Sequence, residues 1–327
     1  MKKKVIYLMM GALLSSFVLT GCNSPISSFF SYDNSYEIVY GKDDSLQYGS
    51  KVTGMAENLV VIPKDKQTDK KYKRKDLHGA ICINLDAEEP LQKYKVFEKV
   101  YPASITKVMT ALVVLENADL DDVVTVDENI TFKEEDAVKL GLKKGAKATV
   151  DQLFNALLVH STNDAAIILA KHVAGSEEEF VKMMNAEAKK LGATGTHFSN
   201  SHGLHEKDHY TTPYDLYLIF KKACTYDKFI EVVSQSECEF IYTDKDGDEH
   251  VQDMESSNQY LTGERKIPDG VKMVGGKTGT TDAAGSCLIV LTKNKDGDRM
   301  ITAVLGADDK DDLYRDMSEL ISKTSKK

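Results

Sequence analysis

The sequence predicts one α+β domain: an antiparallel sheet built from both ends of the chain, packed with helices, and a helical subdomain formed by the middle. Three observations carry this. Short apolar, β-branched runs bounded by polar turns lie near the start, at 57–63 and 78–86, and again at 238–243, 271–280, 286–293 and 300–307. Between these groups the apolar residues recur at helical spacing. After residue 76 no linker-like composition interrupts the chain, so both strand-rich ends belong to one unit.

Taken in order, the chain opens MKKKVIYLMMGALLSSFVLTGC, with three lysines, an apolar run from Val5 to Leu19 and then small residues. This is the layout of a secretory signal peptide, with a single-pass anchor as the alternative. The ending Leu19-Thr20-Gly21-Cys22 resembles the lipobox of bacterial lipoproteins. That resemblance implies a signal peptide at 1–21, a lipidated Cys22, and a chain held by its lipid on the outer face of the cytoplasmic membrane. Residues 22–54 are rich in Ser, Asp, Asn and Gly and read as a tether, with a span of about 30 Å if flexible. The folded domain is then expected at 55–327.

Within it, ENLVVIP and HGAICINLD are read as a strand pair, separated by the basic run KDKQTDKKYKRKD at 64–76. That run is a solvated loop or, on a lipid-anchored protein, a contact for anionic headgroups or wall polymers. Helices are expected from Ile105 to Asn117, at 150–160, and from Asp164 to His172 with Gly175 ending it. A further helix starts at Ser176, where Ser176 and Glu179 form a capping-box pattern, and closes at Gly192. Another begins at Pro213, in the first turn where proline is tolerated. A last helix is expected at about 312–323.

The 327 residues are 42% hydrophobic and 28% charged, with a formal charge of -9. Such a chain is globular, and its acidity argues against a nucleic-acid partner. Cys82, Cys224, Cys238 and Cys287 show no CxxC spacing, which suggests neither a zinc ribbon nor a redox motif and assigns no disulfide. No cofactor is expected.

The chemistry is carried by three separated pieces. In YPASITKVMTAL, Ser104 precedes Lys107 by one helical turn, so the two side chains share a face. Alone, this is equally a helix start followed by a solvated lysine. A lysine acts as a base only when neutral, a form favoured by a nearby second cation. VGGKTGTT supplies Lys277, Thr278, Gly279 and Thr280 in a strand where small residues let another backbone approach. Between them, HSTNDAA places Ser161 and Asn163 at a helix junction, one suited to relay a proton and the other to hold an amide.

SITK, STN and KTG, in that order, match the motif trio of penicillin-binding proteins and serine β-lactamases. The stretches YPASITKVMTALVVLE, LLVHSTNDAAIILAKHVAG, HFSNSHGL, HYTTPYDL and KMVGGKTGTTDAAGSCLIV resemble the D-alanyl-D-alanine carboxypeptidases of the low-molecular-mass penicillin-binding group, peptidase family S11. The likeness runs from about residue 76 to 310. It implies a β-lactamase/transpeptidase-like fold and a serine enzyme that removes the terminal D-alanine from peptidoglycan stem peptides ending in D-Ala-D-Ala and is acylated by β-lactams. It also implies roles: Ser104 as nucleophile, Lys107 as its base, Ser161 in proton transfer and Asn163 in substrate positioning. Lys277 and Thr278 would meet the substrate's carboxylate region, Gly279 would be a further substrate-binding position, and the backbone N–H groups of Ser104 and Thr280 would form the oxyanion hole.

Two departures stand out. Thr162 occupies the centre of a motif that is usually Ser-Gly-Asn, where a β-branched side chain would narrow the site. The family's carboxylate-binding arginine falls on Leu313, and the nearest substitute is Arg315. Rival readings are a serine β-lactamase, a non-catalytic penicillin-binding sensor, and a zinc peptidase through His205, Glu206 and His209. The last requires a helix, but Gly203 and Pro213 bracket the segment and favour a polar loop.

Overall fold

In this computed structural model, residues 60–69 and 77–325 are described. The predicted signal peptide, Cys22, the tether and residues 70–76 of the basic run lie outside them.

In chain order the elements are β1 (Gly79–Asn84), β2 (Glu89–Tyr94), α1 (Lys107–Asn117), β3 (Val123–Thr125) and β4 (Lys147–Thr149). Then come α2 (Val150–Leu158), α3 (Asn163–Ala174), α4 (Glu177–Lys190), α5 (Pro213–Ala223) and α6 (Asp227–Val233). The chain finishes with β5 (Glu237–Thr243), β6 (Glu249–Glu255), β7 (Val271–Thr281), β8 (Gly285–Asn294), β9 (Arg299–Ala307) and α7 (Lys310–Ser322). A five-stranded sheet has the order β2-β1-β9-β8-β7, its described pairs all antiparallel. Both ends of the domain therefore supply it, as expected. β5 does not join it; with β3, β4 and β6 it forms a second sheet in the order β3-β4-β5-β6.

The N-terminal strand pair is displaced from its expected position. Residues 60–63 form no strand: Val60 and Ile62 are buried while Val61 is 65% exposed. Here alternation reflects packing on the core without a ladder, and the Val60 carbonyl accepts a hydrogen bond from the Tyr214 hydroxyl. The true partner of β1 is β2, EPLQKY, a polar edge strand whose Pro90 is tolerated at an edge.

Helix boundaries follow local chemistry. Thr149, Ser176, Thr212 and Asp309 each accept a backbone N–H from the first turn of α2, α4, α5 and α7. Gly175 closes α3 in the left-handed region at φ 78°. At the centre of the molecule, α1 is buried from Lys107 to Val114, and each large aliphatic it buries contributes about 1.5–3 kcal/mol. One apolar cluster joins α1 to its neighbours and one sheet face; a second packs α7 on the other face through Leu313, Met317 and Leu320.

Candidate active site

Ser104 lies in a 3-10 turn, Ala103–Thr106, that leads directly into α1. Ala103 before it has φ 47°, a strained value for a residue with a side chain. Two glycines allow this turn to be wedged in place. A Cβ at Gly279 of β7 would lie 2.8 Å from Ser104 N and 2.9 Å from the Pro102 carbonyl oxygen, and one at Gly203 would lie 2.0 Å from the Ala103 carbonyl oxygen. Backbone from β7 on one side and the 202–204 loop on the other thus reach the serine.

Lys107 is fully buried. Its Nζ lies 2.9 Å from Ser104 Oγ, 2.7 Å from Asn163 Oδ1 and 2.6 Å from the His202 carbonyl oxygen. Burial, and then the charge of Lys277, push its pKa well below the ordinary lysine range, against the opposing pull of Asp164. A neutral amine has two N–H donors and one lone pair. Two of its partners are oxygens that only accept, so the lone pair is left for the Ser104 hydroxyl.

Lys277, 1% exposed, donates to Ser161 Oγ at 2.7 Å and to the Thr278 carbonyl at 3.2 Å. Burial lowers its pKa to about 7. Ser161 is held at φ 68° just before α3, and Asn163 is the first residue of that helix. The loop opposite is fixed to the same helix end: Asp164 Oδ1 and Oδ2 accept from Leu140 and Gly141 N–H at 2.9 and 2.8 Å, and Asn163 N–H donates to the Val138 carbonyl.

Ser104, Ser161, Asn163 and the β7 segment 278–281 line one cleft of about 580 Å³. The structure therefore brings together Ser104, Lys107, Ser161, Asn163, Lys277, Thr278, Gly279 and Thr280. Thr162 does not narrow the cleft: it is wholly buried, does not line it, and its hydroxyl has no hydrogen-bond partner. Arg315 is not part of the site. It pairs with Asp312 and Asp316 on its own helix, at the surface, and does not line the cleft. Leu313 is built into the second apolar cluster. The cation that does line the cleft is Lys310, at the first position of α7, where no sequence pattern marked it. Glu134, Asp136 and His160 also line it unforeseen. Ser257, in the stretch Glu255-Ser256-Ser257-Asn258, bonds Thr278 Oγ1 and so orients that threonine.

The segment His205-Glu206-His209 is a loop rather than a helix. His209 is buried: Ser199 N–H donates to its Nδ1 at 3.1 Å, which puts the proton on Nε2, donating to Thr106 Oγ1 at 2.7 Å. Burial lowers its pKa to about 4, so the ring is neutral and both nitrogens are occupied within the protein. His205 instead packs edge-on against Tyr101. The four cysteines within the described residues are free thiols, and burial raises the pKa of Cys82 to about 11 and of Cys287 to about 12.

The family pattern described as D-alanyl-D-alanine carboxypeptidase, Peptidase S11, matches residues 66–309. The chain belongs to this family. Over 234 residues it is 33% identical to D-alanyl-D-alanine carboxypeptidase DacF of Bacillus subtilis, covering 70% of this chain and 57% of that one. It spans little more than half the length of the curated relatives it matches first. A mutant of the Streptomyces K15 DD-transpeptidase superposes with a TM-score of 0.68 at 26% identity, over 76% of this chain and 98% of that one. Penicillin-binding protein D2 of Listeria monocytogenes, in its cefotaxime-bound form, superposes with a TM-score of 0.63 at 28% identity, over 76% and 97%. The fold is that of these penicillin-binding neighbours: antiparallel sheets packed with helices.

Proposed function

We propose that the chain is a serine D,D-carboxypeptidase that removes the terminal D-alanine from peptidoglycan stem peptides ending in D-Ala-D-Ala. The observation that carries this is the buried Lys107, whose lone pair faces Ser104 at 2.9 Å while carbonyl oxygens take its two N–H groups. Ser104 Oγ attacks the carbonyl of the penultimate D-alanine and its proton passes to Lys107 Nζ. The backbone N–H groups of Ser104 and Thr280 stabilise the oxyanion. The terminal alanine's carboxylate lies toward Lys277 and Thr278, and the proton taken up by Lys107 returns through Ser161, which is bonded to Lys277, to the departing amine, leaving Lys107 neutral and the Ser161 hydroxyl restored. D-Alanine leaves, and water then hydrolyses the ester at Ser104. Asn163 is positioned by Lys107 to hold the acyl amide.

The same attack on a β-lactam would leave an ester at Ser104, a reading supported by the cefotaxime-bound neighbour. The apolar run ending at Cys22 supports a lipid-anchored, extracytoplasmic protein. Among the described residues no helix is long and apolar enough to cross a membrane.

The test is D-alanine release from a D-Ala-D-Ala peptide, with fluorescent-penicillin labelling in parallel. Ser104→Ala is expected to abolish both. Release that persists in the variant overturns the mechanism, and labelling followed by rapid drug turnover without D-alanine release assigns the site to a β-lactamase.

A further inference from the structure

Three glutamates open α4, where the positive end of the helix dipole favours acidic side chains. Glu178 and Glu179 are exposed and pair with Lys182 one turn on, as surface charges do. Glu177 is engaged differently. Its side chain is 28% exposed, and its Oε1 accepts both the backbone N–H and the hydroxyl of Ser201, at 2.9 and 2.6 Å. Ser201 is wholly buried, and its carbonyl accepts from Thr110 Oγ1 of α1 at 2.5 Å. One buried residue is thus held from two helices, and bonds to a carboxylate are about twice as strong as neutral ones.

The next carbonyl in the chain is that of His202, which takes an N–H of Lys107 at 2.6 Å. Thr110 lies one turn beyond Lys107 on α1, so one helix face meets the two consecutive carbonyls. Asn200 closes the same loop: its Oδ1 accepts from Gly203 N–H at 2.7 Å and its Nδ2 donates to the Leu204 carbonyl at 3.0 Å. The His202 ring accepts from Leu204 N–H at Nδ1, and its Nε2 lies 3.8 Å from Glu177 Oε1. The direction of the Lys107 lone pair depends on this loop. If the His202 carbonyl withdraws, an N–H is free to turn toward Ser104 Oγ, and the amine no longer faces the hydroxyl as an acceptor.

We propose that Glu177 is a positioning residue for acyl transfer: by gripping Ser201 it holds the His202 carbonyl that turns the Lys107 lone pair toward Ser104. The inference rests on Lys107 being the base, as proposed above. Glu177 itself acts only through the loop.

The test is Glu177→Ala, with D-alanine release and penicillin acylation followed across pH. Both rates are expected to fall about tenfold, a fraction of what a 1 Å displacement can cost, with KM little changed. The acid limb is expected to move to lower pH by about 0.5, because the ammonium form of Lys107 loses more than the neutral amine does when an acceptor carbonyl withdraws. The other titratable groups around Lys107 are Lys277 on β7, Asp164 on α3, and His202 and His209 beyond α4, and the variant keeps all of them. Glu177→Gln retains an acceptor oxygen for Ser201 and is expected to stay within about threefold of the parent. Glu178→Ala, which removes a charge from the same turn, changes neither rate nor limb. Ser201→Ala loses the hydroxyl bond alone and gives a smaller change in the same direction, which keeps the test open if Glu177→Ala does not fold. A slower rate with an unmoved acid limb, or an equal loss in Glu178→Ala, overturns the positioning role. Lys107 is also titrated directly by NMR in 13C-lysine-labelled parent and Glu177→Ala, a measurement that needs no turnover. A lower Lys107 pKa in the variant with no acylation of the parent supports the grip and overturns the carboxypeptidase reading. Acylation of the parent with an unmoved Lys107 does the reverse, and neither overturns both.

Discussion

Two buried lysines, Lys107 and Lys277, belong to the site, and their proposed roles follow from what surrounds each Nζ. Lys107 has a hydroxyl as its third partner and is the proposed base; Lys277 donates to Ser161, and its charge, while it holds its proton, disfavours protonation of Lys107. Activity is therefore expected to fall on the acid side as Lys107 becomes protonated. Lys277 also leaves a mark on stability. Burial lowers its pKa from 10.5 to about 7, so between these values the unfolded chain binds more protons than the folded one. Stability from this group rises with pH through that window, and the full cost of burying the charge is present below about 7. Lys277→Met is expected to be inactive but to melt higher than the parent at pH 7, with the gap closing toward 10.5. Each 1 kcal/mol corresponds to about 2–4 °C in a domain of this size. Thermal unfolding of both proteins across the window checks it; a pH-independent gap would mean that Lys277 titrates as an ordinary lysine. Arg315 shows the opposite case, a cation spent on its own helix through Asp312 and Asp316.

At the scale of elements, the site is made where β7, the turn before α1 and the start of α3 meet. The close approach of β7 depends on one missing Cβ. Gly279→Ala would force its methyl into Ser104 N and the Pro102 carbonyl oxygen, both under 3.0 Å from the built Cβ position. A loss of about 1–3 kcal/mol in stability is expected from such overpacking. Penicillin labelling is expected to slow at least about 100-fold, as displacement of a positioned nucleophile by 1 Å can do. Stopped labelling kinetics beside a denaturant melt separate the two effects, and unchanged labelling would show that the turn yields freely. The helices around the site were legible because their caps and apolar spacing are local. β2 and β6 were not: EPLQKY lies at a sheet edge and EHVQDME is mostly exposed, so neither carries an apolar alternation. The short helix α6 and the three-residue strands β3 and β4 are too brief to show a period. Residues 60–63 carried the opposite error, an alternation produced by burial against the core rather than by a ladder.

For the whole molecule, the proposed anchor and the catalytic domain are separable in their effects. Cys22→Ala is expected to move the protein from the membrane fraction to the medium or wall fraction while D-alanine release per molecule stays within about twofold, since the tether only sets local concentration. Fractionation with metabolic lipid labelling checks this, and unchanged membrane retention of an unlabelled variant would point to the apolar run as an uncleaved span. The order SITK, STN and KTG, together with the longer stretches around those motifs, sufficed to name the family, because chemistry constrains residue types that stay readable in one dimension. The same holds for caps and for glycines placed before polar turns. Which side chains share a cleft was decided only in three dimensions. Lys310 enters it and Arg315 leaves it because helical phase and sheet packing bury Leu313. Thr162 turns inward, and the His202 carbonyl meets Lys107 across a separation of 95 residues. Such juxtapositions arise from long-range packing, and no local spacing in the chain encodes them.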